Sequence, residues 1–292
     1  MKRIPILVTL ILLVIVSSCA QKKDYVVTIK TRYGNMVAIL YDETPLHKAN
    51  FIKLAKEHYY DSTLFHRVIQ GFMIQGGDPD SKKATPGQRL GQGGPGYTVN
   101  AEFNPKFFHE RGALSAARLS DDRNPSKASS GSQFYVVQGT KMTEGELTTD
   151  LEKMNTMLGQ FFQNPANRGA YDSLAAAFQT QDMKLLQERM VQLRPRVEKE
   201  LNVNLSKEIS PERVKVYTTV GGTPALDGGY TVFGKVIQGL DVLDKIAAVT
   251  KDEENRPTED IRMTVTVEEL SVKKIEKLYG YHYPEKVSTA KH

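Results

Sequence analysis

Cysteine is nearly absent: one occurs in 292 residues, at Cys19. A single thiol cannot close an internal disulfide or build a thiolate metal site, so stability must come from packing. Tryptophan is missing altogether, which removes one common interface and pocket residue. The six histidines are scattered without ligand spacing, and no metal site is expected. Gly91-Gln92-Gly93-Gly94-Pro95-Gly96 lacks the Lys-Ser/Thr and the strand-to-helix setting of a phosphate loop, and no serine sits in a nucleophile elbow. Hydrolytic, nucleotide-driven and metal chemistries have no support, and no cofactor is expected. The net charge is +5, and Lys2 and Arg3 contribute two of those charges. The rest is too weak, and too free of dense Lys/Arg blocks with interleaved aromatics, to point to nucleic acid. Neither an internal repeat nor a low-complexity tract is visible.

The N-terminus reads as an export signal. Lys2 and Arg3 precede an apolar run, Ile4 to Val16. It is too short to cross a ~30 Å hydrocarbon core as a helix and suits the h-region of a signal peptide. Val16-Ser17-Ser18-Cys19-Ala20 follows. Small residues directly before a cysteine resemble the lipobox of bacterial lipoproteins, where the cysteine is lipidated and becomes the new N-terminus. The expectation is a signal peptide over 1–18 and a lipidated Cys19 with a polar tether over 19–24. The domain then sits on a bacterial membrane, facing the periplasm or the exterior.

Beyond the tether, Tyr25–Lys30 and Asn35–Tyr41 flank a turn at Tyr33-Gly34-Asn35 and predict a β-hairpin. Thr44-Pro45 offers an N-cap and a first-turn proline for a helix from His47 to His58. Phe65–Gln75 reads as strand, turn and strand, with the turn near Gln70-Gly71. Gly76–Gly96 is too rich in Gly, Pro and polar residues for regular structure. Short strands follow at Tyr97–Val99, Ala113–Ala117 and Gln133–Gln138. From Thr143 the period changes. Leu147, Leu151, Met154, Leu158 and Phe161 make a helical stripe; Tyr171, Leu174 and Phe178 start a second, continued by Leu186, Met190, Leu193 and Val197. Pro195 is expected to kink or end that helix. After Ser210, Val214, Val216, Thr218 and Val220 alternate like a strand. Tyr230–Ile237 predicts a strand, Leu240–Val249 a short amphipathic helix and Ile261–Val272 a closing strand. Many short strands, two short helices and Gly-rich loops suggest a closed antiparallel barrel.

The strongest signal is Phe65-His66-Arg67-Val68-Ile69-Gln70-Gly71-Phe72-Met73-Ile74-Gln75-Gly76-Gly77-Asp78-Pro79. It closely resembles the central signature of the cyclophilins. Further matches follow in the family's order: Gly91–Gly94, Gly112–Ala117, Ser130-Gly131-Ser132-Gln133-Phe134-Tyr135, and Leu226-Asp227-Gly228 running into Tyr230–Val236. The resemblance covers roughly 25–139 and 218–270 and leaves out the helical block. It implies a mainly β, cyclophilin-like fold: an eight-stranded closed antiparallel barrel capped by two helices. The isomerase domain would span 25–142 and 212–275, with an α-helical insertion over 143–211 and a C-terminal tail over 276–292. The implied activity is peptidyl-prolyl cis-trans isomerisation in exported or envelope proteins, by a monomer, with proline-containing unfolded chains as partners.

An X-Pro amide resists rotation by ~18–20 kcal/mol because its C–N bond has partial double-bond character. An enzyme can lower that barrier by binding the twisted amide better than the planar one. Twisting returns a lone pair to the prolyl nitrogen, and a cationic donor aimed there is bonded only in the transition state. Within the signature Arg67 is the residue for this role, because it is always charged and rigidly forked. By resemblance, Phe72, Met73, Leu226 and Tyr135 wall an apolar proline pocket. Gln75 and Gln133 hold the peptide or orient Arg67, and the backbone at Ala117 and Arg118 pairs with the substrate. Gly91 belongs to the glycine loop beside the site, and Tyr230 donates a hydrogen bond. His66 should point to the opposite face of its strand and be structural. Three residues depart from the family: Tyr135 stands for a Phe, Tyr230 for a His, and Ala225 for a Trp associated with tight cyclosporin binding. The loop Leu119–Ser130 is also longer than the family's shortest forms. A non-catalytic proline-peptide holdase is the competing reading; Arg67 with Gln75 and Gln133 favours the enzyme, since binding alone needs none of the three.

Overall fold

The computed structural model describes residues 22–284. The expected signal peptide and Cys19 lie outside the described residues. The described chain divides into two compact units, Tyr25–Glu268 and a smaller one formed by residues 22–24 with 269–284.

The larger unit is built on an eight-stranded sheet. The hairpin β1 (Lys23–Thr31) and β2 (Gly34–Leu40) precedes helix α1 (Pro45–Lys56). A second hairpin, β3 (Phe65–Ile69) and β4 (Met73–Gly76), leads through a short 3-10 turn (Pro79–Lys83) and long loops to β5 (Ala113–Ala116) and β6 (Phe134–Val137). Four helices follow: α2 (Glu144–Thr148), α3 (Leu151–Phe161), α4 (Arg168–Gln179) and α5 (Met183–Leu201). Then come α6 (Pro211–Thr219), β7 (Val232–Gln238), α7 (Leu240–Ala247) and β8 (Thr264–Ser271). The sheet order is β3-β4-β6-β5-β7-β2-β1-β8, and the registered pairs are antiparallel. At the far edge Leu64 bridges Arg262, and the Phe65 N–H donates to Ile261 O at 3.0 Å. The segment leading into β8 thus lies beside the start of β3, at the other end of the sheet.

Strand alternation divides the side chains into two layers. Ile74, Leu114, Ala116, Phe134 and Val136 face inward and join Val27, Ile29, Phe51, Leu54 and Leu243 in the main core. Their neighbours Met73, Ala113, Tyr135 and Val137 face the other way and form a second apolar layer with Phe72, Leu226 and Tyr230 packed against it. That second layer carries the site.

Several expectations are corrected. Thr44 precedes α1 but makes no side-chain cap. Instead the Glu102 carboxylate accepts from the Leu46 and His47 N–H groups at 3.0 and 2.9 Å, so the cap comes from a distant loop. Tyr97–Val99 is not a strand; only Val99 makes an isolated bridge, to Ser129. The first helical stripe is cut at Thr149-Asp150, where Asp150 caps α3. Leu147 packs with Phe108 and Tyr217, while Met154, Leu158 and Phe161 pack with Leu174, Val197 and Leu205. Tyr171 and Phe178 are exposed rather than part of that core. Pro195 lies inside α5, which continues to Leu201. The alternating Val214–Val220 stretch is helix α6, not a strand; Ser210 caps it by accepting from Arg213 N–H, and Pro211 starts it.

In the smaller unit Lys23 and Asp24, expected in the tether, already belong to β1, and α8 (Val272–Tyr279) occupies part of the expected tail. There Lys23 pairs with Glu269 at 3.3 Å, and the Tyr283 hydroxyl donates to Asp24 at 2.9 Å.

Candidate functional site

Arg67, Gln75, Tyr135 and Ser115 lie opposite one another across β3, β4, β6 and β5. Arg67, Gln75 and Tyr135 of this row, on the outer layer, form one side of a cavity of about 90 Å³ completed by Phe72, Met73, Ala117, Arg118, Leu226 and Tyr230. Phe72, Met73, Ala117 and Leu226 give it apolar walls, while Arg67, Gln75 and Arg118 bring polar groups to it. Each expected wall residue is brought there by a definite element. Phe72 and Met73 close the β3–β4 hairpin, Leu226 ends a 3-10 turn (Pro224–Leu226), and Tyr230 precedes β7.

The exposed Arg67 Nη1 donates to Gln75 Oε1 at 3.3 Å. The Gln75 amide donates to Gln133 Oε1 at 3.1 Å, and the buried Gln133 donates to Gly93 O at 2.8 Å. The glycine loop therefore anchors a row of amides that ends on the guanidinium. The loop itself is wrapped on Asp78, which accepts from the Gly91 and Gly93 N–H groups. A Cβ on Gly93 would collide with the Asp78 carboxylate, and Gly91 takes φ +98°, so both positions suit glycine. Gly91 does not reach the small cavity. It lines a larger adjoining one, about 580 Å³, shared with His66, Arg67, Gln75 and Arg118.

His66 departs from the expected opposite face. The register between β3 and β4 shifts between Phe65 and Arg67, and a bulge breaks strict alternation. His66 is buried yet borders the same large cavity as Arg67. Burial holds its pKa down at about 4, with the Arg67 and Arg256 cations pushing the same way and the Asp78 carboxylate opposing.

Ala117 and Arg118 also take on other tasks. The Ala117 N–H donates to Gln133 O at 3.0 Å, and its carbonyl accepts from Ser130 N–H at 2.9 Å. Its backbone is engaged within the fold, and the residue lines the cavity. The Arg118 guanidinium donates to Gly229 O at 2.7 Å, to Leu119 O at 2.9 Å and to Asp121 at 2.6 Å, and it lies 4.3 Å from the centre of the Tyr230 ring. It is a strut under that ring. Ala225 is exposed and outside the lining.

Behind the cavity lies a group with no expected role. The Tyr135 hydroxyl is 3.0 Å from His109 Nε2, and His109 Nδ1 is 2.9 Å from Asp227 Oδ1. Asp227 also accepts from the His109 N–H at 2.9 Å and the Tyr217 hydroxyl at 2.7 Å, with Arg213 at 3.4 Å. Burial pushes the Asp227 pKa up, but the hydrogen bonds from His109 and Tyr217 more than offset it and hold the carboxyl below its usual value. The extra hydroxyl of Tyr135 is thus engaged behind the wall. No periodicity pointed to His109 or Tyr217, because the partners come from a loop and from a helix whose sequence alternates like a strand. Among the described residues no group of three or more His, Cys, Asp or Glu is placed to hold a metal.

An eight-stranded antiparallel sheet with a small cavity beside Arg67 suits a prolyl isomerase, and the comparisons define the class. The model of the cyclophilin type peptidyl-prolyl cis-trans isomerase family matches residues 26–164 and 206–268. This chain belongs to that family. Peptidyl-prolyl cis-trans isomerase B of Bacillus subtilis is 41% identical over 135 residues, 42% of this chain and 84% of that one. A peptidyl-prolyl cis-trans isomerase of Staphylococcus saprophyticus is 30% identical over 79% of this chain and 85% of its own length. A bifunctional phosphatase/peptidyl-prolyl cis-trans isomerase of Streptococcus pyogenes is 32% identical over 80% of this chain, which spans only 37% of that relative.

Proposed function

We propose that the chain catalyses cis–trans isomerisation of X-Pro bonds in exported or envelope polypeptides and so assists their folding. The observation that carries this reading is the row Arg67–Gln75–Gln133–Gly93 at the rim of the small cavity. The cavity, bounded by Phe72, Met73, Leu226 and Tyr135, takes the proline ring. Arg67 donates to the prolyl nitrogen as the amide twists and its lone pair localises. Gln75 supports the guanidinium from one side, which limits the orientational freedom lost when the transition state forms. Rotation about one bond makes and breaks no covalent bond, so the step calls for no cofactor. Envelope placement rests on the apolar run Ile4–Val16 and on Cys19 as the lipid-bearing residue.

The test is Arg67→Ala in an isomerisation assay on a proline peptide, with circular dichroism to confirm the fold. Loss of a charged donor used only in the transition state lowers the rate ~30- to 1000-fold. A folded variant of near-normal activity removes Arg67 from the mechanism.

A further inference from the structure

Helix α6 (Pro211–Thr219) lies outside the sheet, yet one of its side chains ends in the hydrogen-bonded group behind the cavity. Tyr217 is fully buried, packed with Phe108 and Leu147, and its hydroxyl donates to Asp227 Oδ2 at 2.7 Å. Asp227 Oδ1 faces His109 Nδ1 at 2.9 Å, and His109 Nε2 faces the Tyr135 hydroxyl at 3.0 Å. His109 is completely buried, and the Tyr135 ring is 4% exposed. An ionised Asp227 only accepts, so His109 carries a proton on Nδ1, and its Nε2 pairs with the Tyr135 hydroxyl. Burial keeps both tyrosines protonated by pushing their pKa values up. The four side chains are thus joined end to end, with Asp227 paired to His109 on one oxygen and accepting from Tyr217 on the other.

The His109 ring also packs. It stacks on Tyr135 at 6.1 Å between centroids and meets Tyr230 edge-on at 6.4 Å. Tyr135 and Tyr230 are both cavity walls and touch each other edge-on at 6.0 Å. Rotating His109 would move two walls at once. Its orientation is set by Asp227, whose second oxygen is held by Tyr217 and, at 3.4 Å, by Arg213 of the same helix.

We propose that Tyr217 is a positioning residue for the proline cavity, acting through Asp227 and His109 on the Tyr135 wall. Helix α6 thereby sets how tightly the cavity closes on a proline ring. Because Tyr135 and Tyr230 contact the ring in the planar and twisted states alike, the effect belongs to binding shared by both states. It appears in KM rather than kcat. The proposal rests on the cavity being the proline site.

The experiment is a double-mutant cycle with Tyr217→Phe and Tyr135→Phe, each removing one hydroxyl and little else. Steady-state isomerisation and NMR titration with the same proline peptide are measured on all four proteins. Tyr217→Phe alone is expected to raise KM and Kd about three- to tenfold, with kcat within about twofold. In the Tyr135→Phe background the hydroxyl link is gone and only the ring contacts with His109 remain, so the same substitution is expected to change KM and Kd clearly less than it does in the wild type. An equal effect of Tyr217→Phe in both backgrounds overturns the proposal, because helix packing alone would then explain it. So does an unchanged KM and Kd in the single variant. Kd reads the relay even on a protein that turns nothing over, so failure of the isomerase reading shows separately, as a wild type that binds the peptide without accelerating isomerisation.

Discussion

Arg67 takes its orientation from Gln75, and Gln75 takes its own from Gln133. Removing the far amide should therefore loosen the guanidinium without touching substrate contacts in the apolar walls. Gln133→Ala is expected to lower kcat about tenfold, ~1.4 kcal/mol, with a smaller change in KM; stopped-flow isomerisation over a range of peptide concentrations separates the two. A larger effect on KM than on kcat would assign Gln133 to peptide binding instead. His66 makes a second residue-level prediction. Burial holds its folded pKa at about 4, below the unperturbed 6.5. Between those values the unfolded chain binds more protons, so stability is full above pH 6.5 and falls as pH drops toward 4, by up to about 3 kcal/mol. Urea unfolding of His66→Gln at pH 7, 5.5 and 4 should show a shallower acid limb. Part of the slope should remain, because burial also lowers the pKa of His47, against the opposing pull of Glu102. An unchanged limb would remove His66 from the acid response. At this scale the signature residues were legible through their resemblance to the cyclophilin signature, and the structure gathers Arg67, Phe72, Met73, Gln75, Tyr135 and Leu226 around one cavity. His109 and Tyr217 were not, since a buried hydrogen-bonded relay among distant segments leaves no local period. The displaced face of His66 came from a bulge, which alternation cannot anticipate.

At the scale of elements, hairpins and short strands followed from alternation and turn residues, whereas α6 was misread. Its valines and threonines alternate, and β-branched residues favour strands, but Ser210-Pro211 is a helix start of the kind that overrides a weak propensity. Thr44-Pro45 carries the same signal, and there the cap comes from Glu102 instead, so the dipeptide marks the start without naming the capping group. The helices α3, α4 and α5 form a core of their own around Met154, Phe161, Leu174 and Val197. They join the rest at a narrow neck: Thr149 bridges Ser206, the Asp150 N–H donates to Leu205 O at 2.9 Å, and the Lys207 N–H donates to Thr148 O at 2.7 Å. Replacing 150–205 by a short Gly-Ser turn keeps α6, Tyr217 and the cavity. Isomerisation of a short proline peptide should then stay within about threefold of the full chain, since a distant, separately packed segment contributes little to the site. Refolding of a proline-limited protein should slow if the exposed Phe178 and Met183 help to hold unfolded chains. Equal rates on both substrates would leave these helices without a part in catalysis on large clients.

For the whole molecule, the consequence of scale is where the cavity works. Cytosolic clients and exported clients present the same X-Pro chemistry, so the pocket does not choose between them, and the proposed envelope placement is tested on the N-terminal segment. Lys23 already lies in β1, so a lipid on Cys19 would be separated from the folded chain by at most ~14 Å of extended backbone. At that distance Lys22 and Lys23 would share the headgroup region, where each basic residue adds about 1 kcal/mol of attraction to an anionic surface. A lipid chain with so few charges gives firm attachment only if the lipid itself is present, because two lysines alone supply far less than an acyl anchor. Wild type is therefore expected in the membrane fraction, released by detergent and not by high salt. Cys19→Ser is expected to leave the membrane on a salt wash, with isomerase activity per molecule unchanged in the released protein. Equal retention of both forms after salt would place the anchor elsewhere than Cys19, and loss of both would mean that the chain is exported without one.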